Sequence, residues 1–283
     1  MLHVSLGRAY LSLGDNEKSI KAFEEALKID RSPLVLNDIA YYLAVKGVQL
    51  DKALQYAESA VTSVANSLRN VEASNLTIED LRQVGSLAAY WDTLGWVYFQ
   101  RGDLDAAEKY VKAAWMLQQH SEVGHHIGAV AEKRGNKAEA IRLYAQGAVA
   151  DRVMPEARES LLKLTAPDTV EKLLQTAKGE LKSYNNFELG RLAPNVKTPI
   201  EAEFYLVFAP DAARNAQAVD AKFIKGDESL KPLASQLKTV KYQLVFPDAS
   251  PTKIVRRGAL LCLPKPGVCT FTMISPDLIR SVD

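Results

Sequence analysis

The sequence predicts an α+β multidomain chain, an α–α solenoid of about four helical hairpins followed by a small ββαββ sandwich. Three observations predict it. A pattern of small and aromatic residues recurs through the first half, with 33 residues from Gly7 to Ala40 and again from Gly95 to Gly128. Near residue 200 the hydrophobic period changes from helical to alternating. Close to the C-terminus two cysteines, Cys262 and Cys269, flank the turn signal Pro264-Lys265-Pro266-Gly267.

Composition bounds the function before any element is read. The chain has 283 residues, 47% of them apolar and 24% charged, which is ordinary for a folded protein with a real core and room for two modest domains. Its 35 basic and 34 acidic side chains balance, and no basic cluster exceeds Arg256-Arg257. A nucleic-acid or anionic-membrane surface needs a concentrated positive field, so neither partner is expected. No apolar run approaches the ~20 residues of a membrane span. The opening residues, MLHVSLGRAYLSLGD, lack a basic-then-apolar export signal and read straight into a helix. The expectation is a fragment whose natural start lies upstream.

The hairpins follow in order. Leu6-Gly7, Tyr10, Gly14, Phe23 and Ala26 form the first set, and Ile39-Ala40, Leu43, Gly47, Ala53 and Ala57 the second. Trp91, Leu94-Gly95, Tyr98, Gly102, Ala107 and Ala114 form the third; Ile127-Gly128, Ala131, Gly135, Ala140 and Tyr144 the fourth. Small residues let paired helices approach closely. A glycine ends each first helix where a left-handed conformation is needed. Asp15, Asp103 and Asn136 come next, where a short polar side chain caps the following helix. The second repeat has one extra residue in its turn, and about 22 residues separate the second repeat from the third. Within that insertion, Thr77-Ile78-Glu79-Asp80 with Leu81 and Val84 reads as a capped short helix, for packing or for binding.

These residues resemble the tetratricopeptide repeat, whose unit is about 34 residues. The resemblance implies a solenoid over 1–150, with its insertion at 67–88, that binds a protein or peptide on the face of the first helices. Carried over residue by residue, that groove contains Arg8, Asn37, Tyr41, Asp92, Trp96, His125 and Lys133. Arg8 and Asn37 are the only near matches to the family's carboxylate clamp, and Asp92 opposes an anion, so a clamp is not expected. Tyr41 and Trp96 suit anchoring of an apolar side chain. For Trp96 the alternative is packing, because its helix is apolar nearly all round.

Residues 151–199 read as capping helices and a linker with Pro194 and Pro199, and 200–283 as the α+β domain. Glu203–Ala209 and Ala218–Ile224 read as strands, and a helix runs from a Ser229 cap to Val240 with Pro232 in its first turn. A hairpin, Thr252–Cys262 and Cys269–Ser275, then sets the two cysteines opposite each other. They form either a disulfide or a buried reduced pair. In a strand, Arg256 and Arg257 point to opposite faces, and pairing with a carboxylate such as Asp248 is expected.

Val219, Ala221, Gly226, Leu230, Ala234, Leu237, Val240, Tyr242 and Pro247 resemble the C-terminal domain of the energy-coupling protein TonB. That likeness implies a periplasmic adaptor fold binding a partner strand at a sheet edge. The WDTLGWVYFQRGDLDAAEKYVKAAW block and the VRRG…C…CTF ending are also similar to the C-terminal part of large exported bacterial tetratricopeptide proteins, some with a transglutaminase-like domain upstream.

No nucleophile elbow, phosphate loop or diagnostic acid pair is present. Adjacent His125 and His126 point about 100° apart on a helix, and His3 and His120 lack partners at ligand spacing, so no metal and no cofactor are expected. The functional expectation is a non-enzymatic scaffold or adaptor for a protein or peptide, in a bacterial envelope, with self-association a further expectation. The alternative is the non-catalytic C-terminal region of a larger transglutaminase-like or hydrolase protein.

Overall fold

The protein is described by a computed structural model over residues 2–189, 196–265, 267–279 and 281–282. Met1, Pro194 and Pro266, which entered the sequence reading, lie outside the described residues. Four helical hairpins come first: α1 (Leu2–Ser12) with α2 (Asn16–Ile29), and α3 (Pro33–Lys46) with α4 (Leu50–Ser67). Then come α5 (Ile78–Arg101) with α6 (Leu104–Leu117), and α7 (Ser121–Lys133) with α8 (Lys137–Gly147). The first helices of successive hairpins touch in series, α1 on α3, α3 on α5 and α5 on α7. α9 (Pro155–Leu164) packs on α7 and α8 and covers the end of the stack, and α10 (Pro167–Ser183) packs on α8 and α9.

Local chemistry explains these elements. Asp15 accepts from the Lys18 N–H at 3.1 Å, Asp103 from Ala106 at 3.0 Å and Asn136 from Glu139 at 3.4 Å. Each satisfies an orphan donor at a helix start, a cap typically worth about 1 kcal/mol. Gly47 and Gly102 stop α3 and α5 at φ 65° and 84°, the region a glycine enters at little cost. The extra turn residue of the second repeat puts Gln49 at φ 50°, a left-handed conformation without glycine. Helix crossings are tight where the small residues sit. A Cβ on Gly95 would lie 2.9 Å from the Val111 nitrogen, and one on Gly128 2.5 Å from the Tyr144 ring.

The insertion departs from expectation. Thr77 and Asp80 do form a reciprocal capping box, yet no separate short helix results. The helix they start runs on for 24 residues and becomes the first helix of the third hairpin. No glycine or proline breaker stands before Gly102 except Gly85 and Gly95, which an α-helix tolerates, so the period continues. Ahead of Thr77 the insertion turns toward the sheet. The Ala73 N–H donates to Asp220 at 3.1 Å, and the Lys253 ammonium donates to the Val71 carbonyl at 3.1 Å.

The sheet is antiparallel and five-stranded, in the order β1-β5-β4-β2-β3. Its strands are β1 (Asn186–Glu188), β2 (Ile200–Pro210), β3 (Ala216–Gly226), β4 (Ile254–Cys262) and β5 (Cys269–Met273). Four fall on the expected strands. β1 was not expected, because three residues are too few to show alternation; it pairs Phe187 with Phe271 along β5. The expected helix from Ser229 to Val240 is shorter. A 3₁₀ turn spans Glu228–Leu233 and a single α turn, α11 (Ala234–Leu237), follows. Asp227 rather than Ser229 is the cap, accepting from the Ser229 N–H at 2.9 Å.

Arg256 and Arg257 diverge as strand geometry requires, but neither pairs with Asp248, whose carboxylate accepts from the Tyr110 hydroxyl at 3.0 Å. Arg257 binds Glu203 at 2.6 Å. Arg256 is fully buried against the helices and donates to the carbonyls of Leu117 at 2.8 Å and Ile274 at 3.2 Å. Burial pulls its guanidinium down to about 10. Cys262 and Cys269 are register partners with Cα atoms 4.0 Å apart, at disulfide distance.

Candidate functional site

The layer of first helices builds a partly open site. α3 supplies Tyr41 and Val45, α5 supplies Trp96, and α7 supplies Glu122, His125 and His126. Met154 and Glu156, at the start of α9, close a cavity of about 170 Å³. Each helix presents these positions because its opposite face is consumed by its own hairpin partner, leaving residues four apart such as Tyr41 and Val45 on the inner face.

Beneath the cavity lies a buried charge pair. His126 Nδ1–H donates to both oxygens of Asp92, at 2.9 and 3.0 Å, with both side chains almost wholly shielded from solvent. Burial alone would push the His126 imidazolium down, but the Asp92 charge and hydrogen bond overcome it and the pKa is raised. The Trp96 indole stacks on His126 with ring centroids 4.0 Å apart, and also on Phe99 at 4.7 Å. Its Nε1–H is buried and has no acceptor among the described residues. Such an orphaned donor costs free energy until something supplies an oxygen. Trp96 therefore both packs and lines the cavity.

His125 has the opposite electrostatics. Burial, and then the charge on His126, lower it to about 4, so it is a neutral imidazole near neutral pH. The Tyr41 hydroxyl donates to Glu122. Burial and the neighbouring Glu122 carboxylate raise that phenol well above its usual value, leaving it a donor at all ordinary pH. The site can thus hold a ligand by shape and by carboxylate charge. Among the described residues no group of three His, Cys, Asp or Glu side chains is placed to hold a metal ion.

Of the residues expected in the groove, Tyr41, Trp96 and His125 line the cavity and Asp92 underpins it. The other three lie elsewhere. Arg8 sits 5.3 Å from the centre of the Tyr42 ring, a cation–π contact from α1 of the first hairpin to α3 of the second. Lys133 is exposed in the last turn of α7. Asn37 is buried, and it lines a broader cleft with Asp38, Gln118 and Pro276. Its Oδ1 and the Gln118 Nε2 lack partners among the described residues, and burial raises the Asp38 carboxyl.

Sequence reasoning missed His126, Glu122, Val45, Met154 and Glu156. One signal for His126 was present. Asp92 and His125 are one repeat apart, so an acid and an adjacent histidine pair fall on neighbouring first helices, where they meet. Met154 and Glu156 carry no repeat signal, since they belong to the capping helix.

Residues 2–33 and 88–119 match the tetratricopeptide repeat model. Among solved structures, that of a thermophilic TPR protein of Thermus thermophilus is similar, at 19% identity and a TM-score of 0.40. The match covers 64% of this chain and 89% of that one. No curated protein matches the chain. The hairpins formed by α1 with α2 and by α5 with α6 are tetratricopeptide repeats, and the chain is an α+β protein that carries them ahead of a five-stranded antiparallel sheet.

Proposed function

We propose that this chain is a protein-binding adaptor that seats one side chain of a protein or peptide partner in the cavity between α3, α5, α7 and α9. Tetratricopeptide repeats generally mediate protein–protein interaction, and scaffolds of this kind are typically non-catalytic. The observation that carries the specific reading is the cavity itself, about 170 Å³ and walled by Tyr41, Val45, Trp96 and Met154, a space of the size of one side chain. The role is the same whether the chain acts alone or as the non-catalytic C-terminal region of a larger protein.

A location outside the cytoplasm is part of the proposal. Its support is the pairing of Cys262 with Cys269 at disulfide distance, since such bonds persist in oxidising compartments. Self-association is left to the same measurement. Pull-down with the intact chain and with Val45→Arg tests the cavity, because Val45 lines it and, at 46% exposed, lies outside the buried core. A partner held there is lost from the variant. Identical recovery by both proteins, including recovery of the chain itself, would end the reading.

A further inference from the structure

We infer that the cavity selects a basic side chain, a lysine or arginine of the partner. This rests on the adaptor reading and narrows it. The charges around the cavity do not cancel. Asp92 is neutralised by His126, to which it is doubly hydrogen-bonded. His125 is uncharged near neutral pH. Glu122 and Glu156 remain, and both act on the same groups, each raising the Tyr41 phenol and each supporting the His126 imidazolium. Lys163, on α9, is a cation felt by His125, but it is exposed to solvent rather than lining the cavity. The resident surplus is negative.

Shape agrees with charge. A volume of about 170 Å³ is close to the roughly 150 Å³ of an engineered cavity that binds benzene, so it takes one side chain. Val45 and Met154 supply apolar walls for a methylene stem, while the carboxylates stand where the charged head arrives. An acidic side chain would place a third carboxylate against Glu122 and Glu156. An apolar one would fill the walls but leave the half-buried Glu122 carboxylate without a counter-charge.

The test uses the whole chain, labelled with ¹⁵N, and follows the Trp96 Nε1–H resonance, assigned with Trp96→Phe. It is titrated with the N-acetyl amides of lysine, arginine, norleucine and glutamate. Lysine and arginine should give saturable shifts, norleucine should bind at least tenfold more weakly, and glutamate should have no effect. The double variant Glu122→Gln, Glu156→Gln should bring lysine and norleucine to equal affinity. Norleucine binding as well as lysine, or an unchanged double variant, overturns the inference and leaves an apolar anchor site, so the adaptor reading stands. Silence with all four probes overturns it too. If Val45→Arg also leaves partner recovery unchanged, the adaptor reading falls with it.

Discussion

Arg256 on β4 donates from its Nη1 to the carbonyl oxygen of Leu117, the last residue of α6, at 2.8 Å. A cation at a helix C-terminus meets unpaired carbonyls and the negative end of the macrodipole, so this contact fastens the sheet to the solenoid. It has no carboxylate partner among the described residues, and its other acceptors there are the Ile274 carbonyl and the Asn185 amide oxygen.

Removing that side chain should be costly. Arg256→Ala loses charge-assisted hydrogen bonds worth about 1.5–3 kcal/mol each and leaves buried carbonyls bare, for a total of about 3 kcal/mol or more. Urea unfolding followed by circular dichroism measures it. A variant within about 1 kcal/mol of the parent would show that the guanidinium contributes nothing net.

Asp92→Asn should destabilise the chain by about 2–3 kcal/mol, less than the full loss of a buried ion pair because His126 can shed its proton. The NMR titration of His126 reports the cause. Its pKa, raised in the parent by Asp92, should fall below the ordinary histidine value in the variant.

Acid should weaken the fold through His125. Its folded value is about 4 against 6.5 unfolded, so the unfolded chain binds more protons between those limits. Stability therefore falls as pH drops from about 6.5 to about 4, by up to roughly 3 kcal/mol. His126, with a raised value, acts in the opposite sense. Its contribution is complete below the unfolded value and is lost as pH rises through the folded one. Denaturation curves from pH 4 to 7 should show a smaller acid loss for His125→Gln than for the parent, and equal slopes would contradict this.

Gly124→Ala should destabilise by about 2 kcal/mol, since overpacking of a rigid contact typically costs 1–3 kcal/mol. A Cβ there would collide with the Gly147 backbone of α8 and approach Trp115 to 3.0 Å. Thermal melting of the variant decides it.

Protein isolated from its native compartment should gain two hydrogens on reduction, as Cys262 and Cys269 open. Reduction should cost the sheet about 2–3 kcal/mol on the chain-entropy estimate. Mass spectrometry with and without reductant gives the answer, and no mass change would remove the support for an extracytoplasmic location.

The solenoid was legible because its rules are local. Gly47 and Gly102 stop helices, Asp103 and Asn136 start them, and Gly95 and Gly128 mark crossings, all within one repeat length. What escaped depends on distant partners. The three residues of β1 are a strand only because β5 offers a free edge. Residues 71–74 pack on a sheet some 150 residues later, through Asp220 and Lys222. Glu122 and Glu156 read as ordinary first-turn acids of α7 and α9, and only the stacking of those helices points both at one cavity.

α5 has a consequence beyond packing. It runs unbroken for 24 residues, about 36 Å at 1.5 Å per residue. Trp91 meets Phe246 of the C-terminal domain edge-on, Asp92 grips His126, and Trp96 lines the cavity, all within two turns. One helix therefore serves three neighbours at once, its inner surface shared between the C-terminal domain, the buried ion pair and the cavity wall.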